Sequence, residues 1–120
     1  MAWFRCGGGE EISFTSYESI SGQKDDATVS SICDSRSTFS VDVEVEYSIK
    51  VTYGSSSSAA YAELYCGDEL IWKRDKFGGS VTANGTCILP AGKIMSLVAY
   101  RTGSSSLSAS CEFIYGYNNN

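Results

Sequence analysis

Few side chains in this sequence can do chemistry, and their types narrow the field at once. There is no histidine among the 120 residues. That removes the commonest general base and the commonest metal ligand. No Gly-x-Ser-x-Gly elbow and no phosphate-cradling Gly-Lys-Ser loop occurs. A cysteine nucleophile needs a base to form its thiolate, and no imidazole is there to serve. These absences point away from an enzyme, and no cofactor is expected.

Three groupings remain. Asp42, Glu44 and Glu46 alternate along one stretch, about 6.6–6.8 Å apart if that stretch is a strand. Such a row reads as a solvated face that discourages edge pairing. Calcium is the alternative if another loop supplies oxygens, but no Asp-rich calcium loop accompanies the row, and no metal site is expected. Trp72, Tyr61, Tyr65 and Tyr100 form the second group, able to stack on sugar rings or anchor a protein partner. Trp72 precedes Lys73 and Arg74, a boundary position that suits ligand contact and a core edge alike. The third group is five cysteines: Cys6, Cys33, Cys66, Cys87 and Cys111. Their number is odd, no two are close in sequence, and no zinc spacing such as C-x-x-C appears. Cys111 shares parity with Ala109 and Phe113, and Cys66 with Ala62 and Leu64, so they read as small hydrophobes. Disulfides stay open if the protein ends up outside a cell.

The element that must position these groups is the stretch Phe39 to Tyr53. Its odd positions are apolar from Phe39 through Val45 and Ile49 to Tyr53, and its even positions are polar. Successive side chains on a strand point to opposite faces, so the pattern makes one apolar and one wet face. A helix would smear the same residues around its circumference. The stretch exceeds the usual strand length of about 5–6 residues. It therefore implies a bend or bulge midway, or one long strand spanning a sandwich.

Other strands are read at 10–17, 27–33, 59–66, 69–74, 81–89, 93–101 and 107–117. Loops are read at 18–26, at 34–37, at the serine-rich segments 54–58 and 103–106, at 67–68, at 75–80 and at 90–92. Asn84-Gly85 reads as a tight turn interrupting 81–89. Asn84-Gly85-Thr86 also matches a glycosylation acceptor, read as a turn in the absence of a secretory signal. About eight strands with no helical period predict an all-β, antiparallel two-sheet sandwich, jelly-roll or immunoglobulin-like in order. The organisation is an apolar arm over 1–9 (Met1 to Phe4, then Gly7-Gly8-Gly9), a sandwich domain over 10–117 and a polar tail over 118–120. The arm either anchors the chain to a neighbour or covers the domain's own core.

Hydrophobic residues make up 42% and charged residues 19%, as in an ordinary folded domain. The net charge of −5 disfavours nucleic acid and polyanionic membrane surfaces. No apolar run approaches the ~20 residues that span a bilayer. The N-terminus lacks the apolar core of a signal peptide. The expectation is a chain kept in the cytoplasm, or leaving it without a cleaved signal.

The opening Met-Ala-Trp-Phe-Arg-Cys-Gly-Gly-Gly resembles the N-termini of small tail-associated proteins encoded by phages and prophages of gut Firmicutes. The Leu89-Pro90-Ala91-Gly92 turn before an apolar strand, with a Gly-Ser-Ser-Ser loop after it, is similar to β-sandwich domains of virion fibres and decoration proteins. The likeness is close over residues 1–9 and one of style elsewhere. It implies a non-enzymatic virion component (tail, fibre or surface decoration) assembled in the host cytoplasm. Trp3, Phe4 and Arg5 would dock it on other virion proteins, and repeated copies would form a homo-oligomer, a trimer by analogy. A host-surface glycan is a further implied partner. The alternative is a carbohydrate-binding module with Trp72 and the tyrosines as platform and the serine-rich loops as rim.

Overall fold

The computed structural model describes residues 12–118. They form eight strands: β1 (Ile12–Lys24), β2 (Ser30–Asp34), β3 (Val43–Tyr53), β4 (Ala60–Cys66), β5 (Glu69–Phe77), β6 (Ser80–Leu89), β7 (Met95–Arg101) and β8 (Leu107–Asn118). Two four-stranded antiparallel sheets pack face to face, in the orders β1-β8-β3-β6 and β2-β7-β4-β5. The first strand pairs with the eighth, the second with the seventh, the third with the sixth and the fourth with the fifth. The chain is thus one long hairpin, turned at Gly67-Asp68 and rolled up so that β3 meets β8 and β4 meets β7. That nested order is a jelly roll, which decides between the two orders that strand count alone left open.

Alternation is what closes the core. Along β3 the odd positions from Val43 to Tyr53 are buried, and β4 repeats the pattern with Ala60, Ala62, Leu64 and Cys66. On β8, Leu107, Ala109, Cys111, Phe113 and Tyr115 face the same interior. The regular strand begins at Val43, because the chain bends at Ser40-Val41. Gly92 N–H donates to Phe39 O at 2.8 Å and Ala91 N–H to Asp42 Oδ1 at 2.9 Å, tying the bend to the Pro90 turn. Phe39 still reaches the core, its ring 4.9 Å from that of Tyr115, while Val41 is left 42% exposed.

Three local expectations are corrected. Residues 18–26 do not start a loop: β1 runs on to Lys24, with Glu18, Ile20 and Lys24 buried on one face. The polar composition misleads because both charges are fully partnered. Glu18 accepts from Tyr115 Oη and Arg36 N–H, each at 2.7 Å. Lys24 Nζ donates to Asp26 Oδ1 at 2.5 Å, Thr28 Oγ1 at 2.6 Å and Ser30 Oγ at 2.9 Å. Nor does Asn84-Gly85 make a turn; β6 passes straight through it, opposite Ser48 and Tyr47. Glycine is required there because a Cβ would lie 2.8 Å from Tyr47 Oη. Finally, β5 continues to Phe77, so its turn shrinks to Gly78-Gly79.

The loops gather at two poles. At one pole, Tyr53 N–H donates to Gly79 O, Gly54 N–H to Ser106 O and Thr102 N–H to Ala59 O, within 2.8–3.0 Å. This fastens the first serine-rich loop to the β5–β6 turn and the second serine-rich loop to the first. At the other pole lie the Gly67 and Pro90 turns, the 35–42 bend, and the outer ends of β1 and β8, where Ile12 faces Asn118.

Candidate interaction surface

The outer face of the β2-β7-β4-β5 sheet carries the tyrosines singled out from the sequence. Tyr61 and Tyr100 sit opposite each other on β4 and β7, and their rings stack at 4.7 Å and 3°. Tyr65 lies four residues further along the same β4 face, beyond Glu63, and donates its hydroxyl to Glu63 Oε1 at 3.0 Å. That bond holds the proton, pushing the phenol up from its ordinary value. Val98 and Ser96 continue the face on β7. All three tyrosines are half-buried. Stacking on each other uses one face of Tyr61 and one of Tyr100, which leaves less ring for a ligand.

Trp72 does not join them. It is paired across strands with the fully buried Leu64 and packs against the core from the edge strand β5. The structure therefore brings together Tyr61, Tyr65 and Tyr100 and turns Trp72 to the other side of the same sheet. Trp3, Phe4 and Arg5 lie outside the described residues.

The acidic row sits on the outer face of the opposite sheet. Glu44 is exposed and Glu46 half-buried, while Asp42 lies in the bend before the strand. Its carboxylate is engaged by Ala91 N–H. Glu46, Ser48, Asn84, Thr86, Glu112 and Ile114 ring a shallow depression of about 300 Å³ above Gly85. Two carboxylates with neutral neighbours can attract a cation or accept hydrogen bonds, but among the described residues no group of three or more His, Cys, Asp or Glu side chains is placed to hold a metal.

One feature the sequence reading missed is Arg101, at the end of β7. Its guanidinium donates to Ser105 O at 2.5 Å, to Asp26 O at 3.2 Å and to Asp25 O. It draws the 25–29 loop onto the second serine-rich loop. Nearby, the Lys24 ammonium bonds to Asp26 and, with Thr28, holds that carboxyl down to about 2 from 3.8. A lone arginine after an apolar strand was the available signal. Nothing local shows that two of its partners lie 75 and 76 residues earlier.

No protein-family model matches the chain, and no curated protein matches it. Among solved structures, the chain is similar to a protein of Bacillus endospore appendages, described as disulfide-linked pili. That match has 15% identity and a TM-score of 0.54, and it covers 93% of this chain and 95% of that one. The chain also aligns with infectious bursal disease virus proteins. The Gx strain structure gives 11% identity and a TM-score of 0.47, covering 92% of this chain and 34% of the viral one. A T13 particle of the same virus gives 7% identity and a TM-score of 0.45, covering 88% and 36%. These likenesses concern the fold.

Proposed function

We propose that this protein is a non-enzymatic structural subunit of a multi-copy protein assembly. The observation that carries the reading is the end-to-end coincidence of its jelly roll with a single pilus subunit of nearly equal extent. The chemistry agrees. Apolar residues from all eight strands close one core, and the buried charges Glu18 and Lys24 are bonded within the fold rather than aimed into a cleft.

Assembly runs through the N-terminal segment. Trp3, Phe4 and Arg5 dock on a neighbouring subunit, with Gly7-Gly8-Gly9 as the joint between that contact and β1. The serine-rich pole, at the far end from the start of β1, then faces outward. A second form of the same reading is a virion component of the tail, fibre or decoration kind, built in the host cytoplasm. The resemblance of Met1 to Gly9 to phage tail-associated proteins favours it.

The test compares the full chain with one lacking residues 1–9, by light scattering and negative-stain microscopy over a concentration series. The full chain should form filaments, rings or closed oligomers, while the shortened chain stays a folded monomer. A full chain that remains monomeric at the highest concentration, and is absent from particles of a host carrying its gene, would overturn the proposal.

A further inference from the structure

The cysteines lie far apart in sequence, yet the fold gathers four of them into two couples, each spanning the two sheets. Cys33 on β2 is 2% exposed and Cys111 on β8 is fully buried. Cys33 Sγ lies 4.0 Å from Ile20 O and 3.9 Å from Ala109 O. Ile20 is the cross-strand partner of Cys111, and Ala109 is its neighbour on the same strand face. The Cys33 sulfur is thus bracketed by the residues that flank Cys111. The second couple repeats the arrangement at the other side of the sandwich. Cys66 Sγ on β4 lies 3.3 Å from Ile88 O, the residue after Cys87 on β6. Cys87 Sγ lies 3.9 Å from Met95 Sδ, and Met95 is the cross-strand partner of Cys66.

Stacked sheets usually stand about 10 Å apart, too far for a disulfide, whose Cα atoms must come within about 7 Å. Here Cα atoms of β2 approach those of β8, and Cα atoms of β4 those of β6, to 8 Å or less. Each couple also includes one strand at the rim of its sheet, β2 or β6, with a single hydrogen-bonded neighbour. A covalent link would hold that rim strand from the opposite layer.

We propose that Cys33–Cys111 and Cys66–Cys87 are two intramolecular disulfide sites, closed by exchange with a small-molecule disulfide when the chain folds or its rim strands open. In each closure one thiol of the couple attacks the oxidant RSSR and releases RSH, leaving a mixed disulfide on the protein. The second thiol displaces another RSH and forms the protein S–S bond. Two protein S–H bonds and one oxidant S–S bond are lost; one protein S–S bond and two RSH are gained. The protein gives up two electrons per site and the oxidant takes them. The attacking thiol reacts as its thiolate, which forms once folding in progress or rim opening leaves it in water, and its proton ends on the departing RSH. Cys6 is left over, so this chemistry is separate from whatever residues 1–9 do between subunits.

The full chain and its C6S variant are refolded from the reduced, denatured state in oxidised glutathione, then alkylated and digested with trypsin without reductant. Every cysteine falls in a different tryptic peptide. The expected result is that peptide 25–36 comes off linked to 102–120, and 51–73 linked to 77–93, from monomeric protein. The melting temperature should rise on the order of 10 °C and fall back with reductant. C33S should keep the 66–87 link and leave Cys111 open to alkylation. Four separately alkylated core peptides, any other pairing, or a melting temperature that does not rise would overturn the proposal.

Discussion

At the scale of single residues, the buried pair Tyr115 and Glu18 is where most is at stake. Tyr115 lies inside the core with its hydroxyl bonded to a carboxylate that is itself 7% exposed. Burial and then that bond push the phenol well above its ordinary value. Its proton is therefore kept in the folded state at pH values where an unfolded tyrosine loses it. The contribution to stability is full below about pH 10, the unfolded value, and is lost as pH climbs toward the folded one. Tyr115→Phe should lower unfolding free energy by about 1–3 kcal/mol, because Glu18 loses a donor it cannot replace with water. It should also flatten the decline above about pH 10. Urea titrations of both forms between neutral and strongly alkaline pH check both statements.

At the scale of elements, β6 shows what local chemistry can and cannot say. Gly85→Val should destabilise the fold by about 1–3 kcal/mol, since the new side chain needs the space filled by Tyr47 Oη. Tyr47→Phe should recover part of that loss in the double mutant, a coupling readable from thermal melts of the four forms. Asn-Gly is a strong turn signal by itself, but here its glycine answers to a residue on the neighbouring strand. The strands that could be read directly were those whose parity matched burial: β3, β4 and β8. The far half of β1 could not, because Glu18 and Lys24 occupy inward positions and their partners lie elsewhere in the chain. Gly22, between them, lets β1 cross close over β2, where a Cβ would meet Ile32 O at 1.9 Å. The tyrosine face was half legible. Parity puts Tyr61 and Tyr65 together, whereas Tyr100 joins them only through the β4–β7 pairing. The outward or inward turn of Trp72 depends on register that no single strand reveals.

At the scale of the whole molecule, strand order was the hidden variable. Alternation states which way a side chain points, not which strand lies beside which, so jelly-roll and immunoglobulin-like orders remain equal until pairing is seen. The rolled hairpin then explains why the loops converge at two poles, and why Arg101 can bind three carbonyls from two of them. Arg101→Ala should cost about 1–3 kcal/mol. It should also speed amide exchange in 25–29 and 102–106 while leaving the β3–β8 ladder protected. A hydrogen-exchange map with uniform acceleration would contradict that local role.

The placement of Ile12 against Asn118 matters to anyone who wants to tag this chain. If residues 1–9 dock on a neighbour as proposed, a fluorescent or affinity label beside Ile12 or Asn118 would sit at the docking pole. One spliced between Ser55 and Ser58 would ride on the opposite pole.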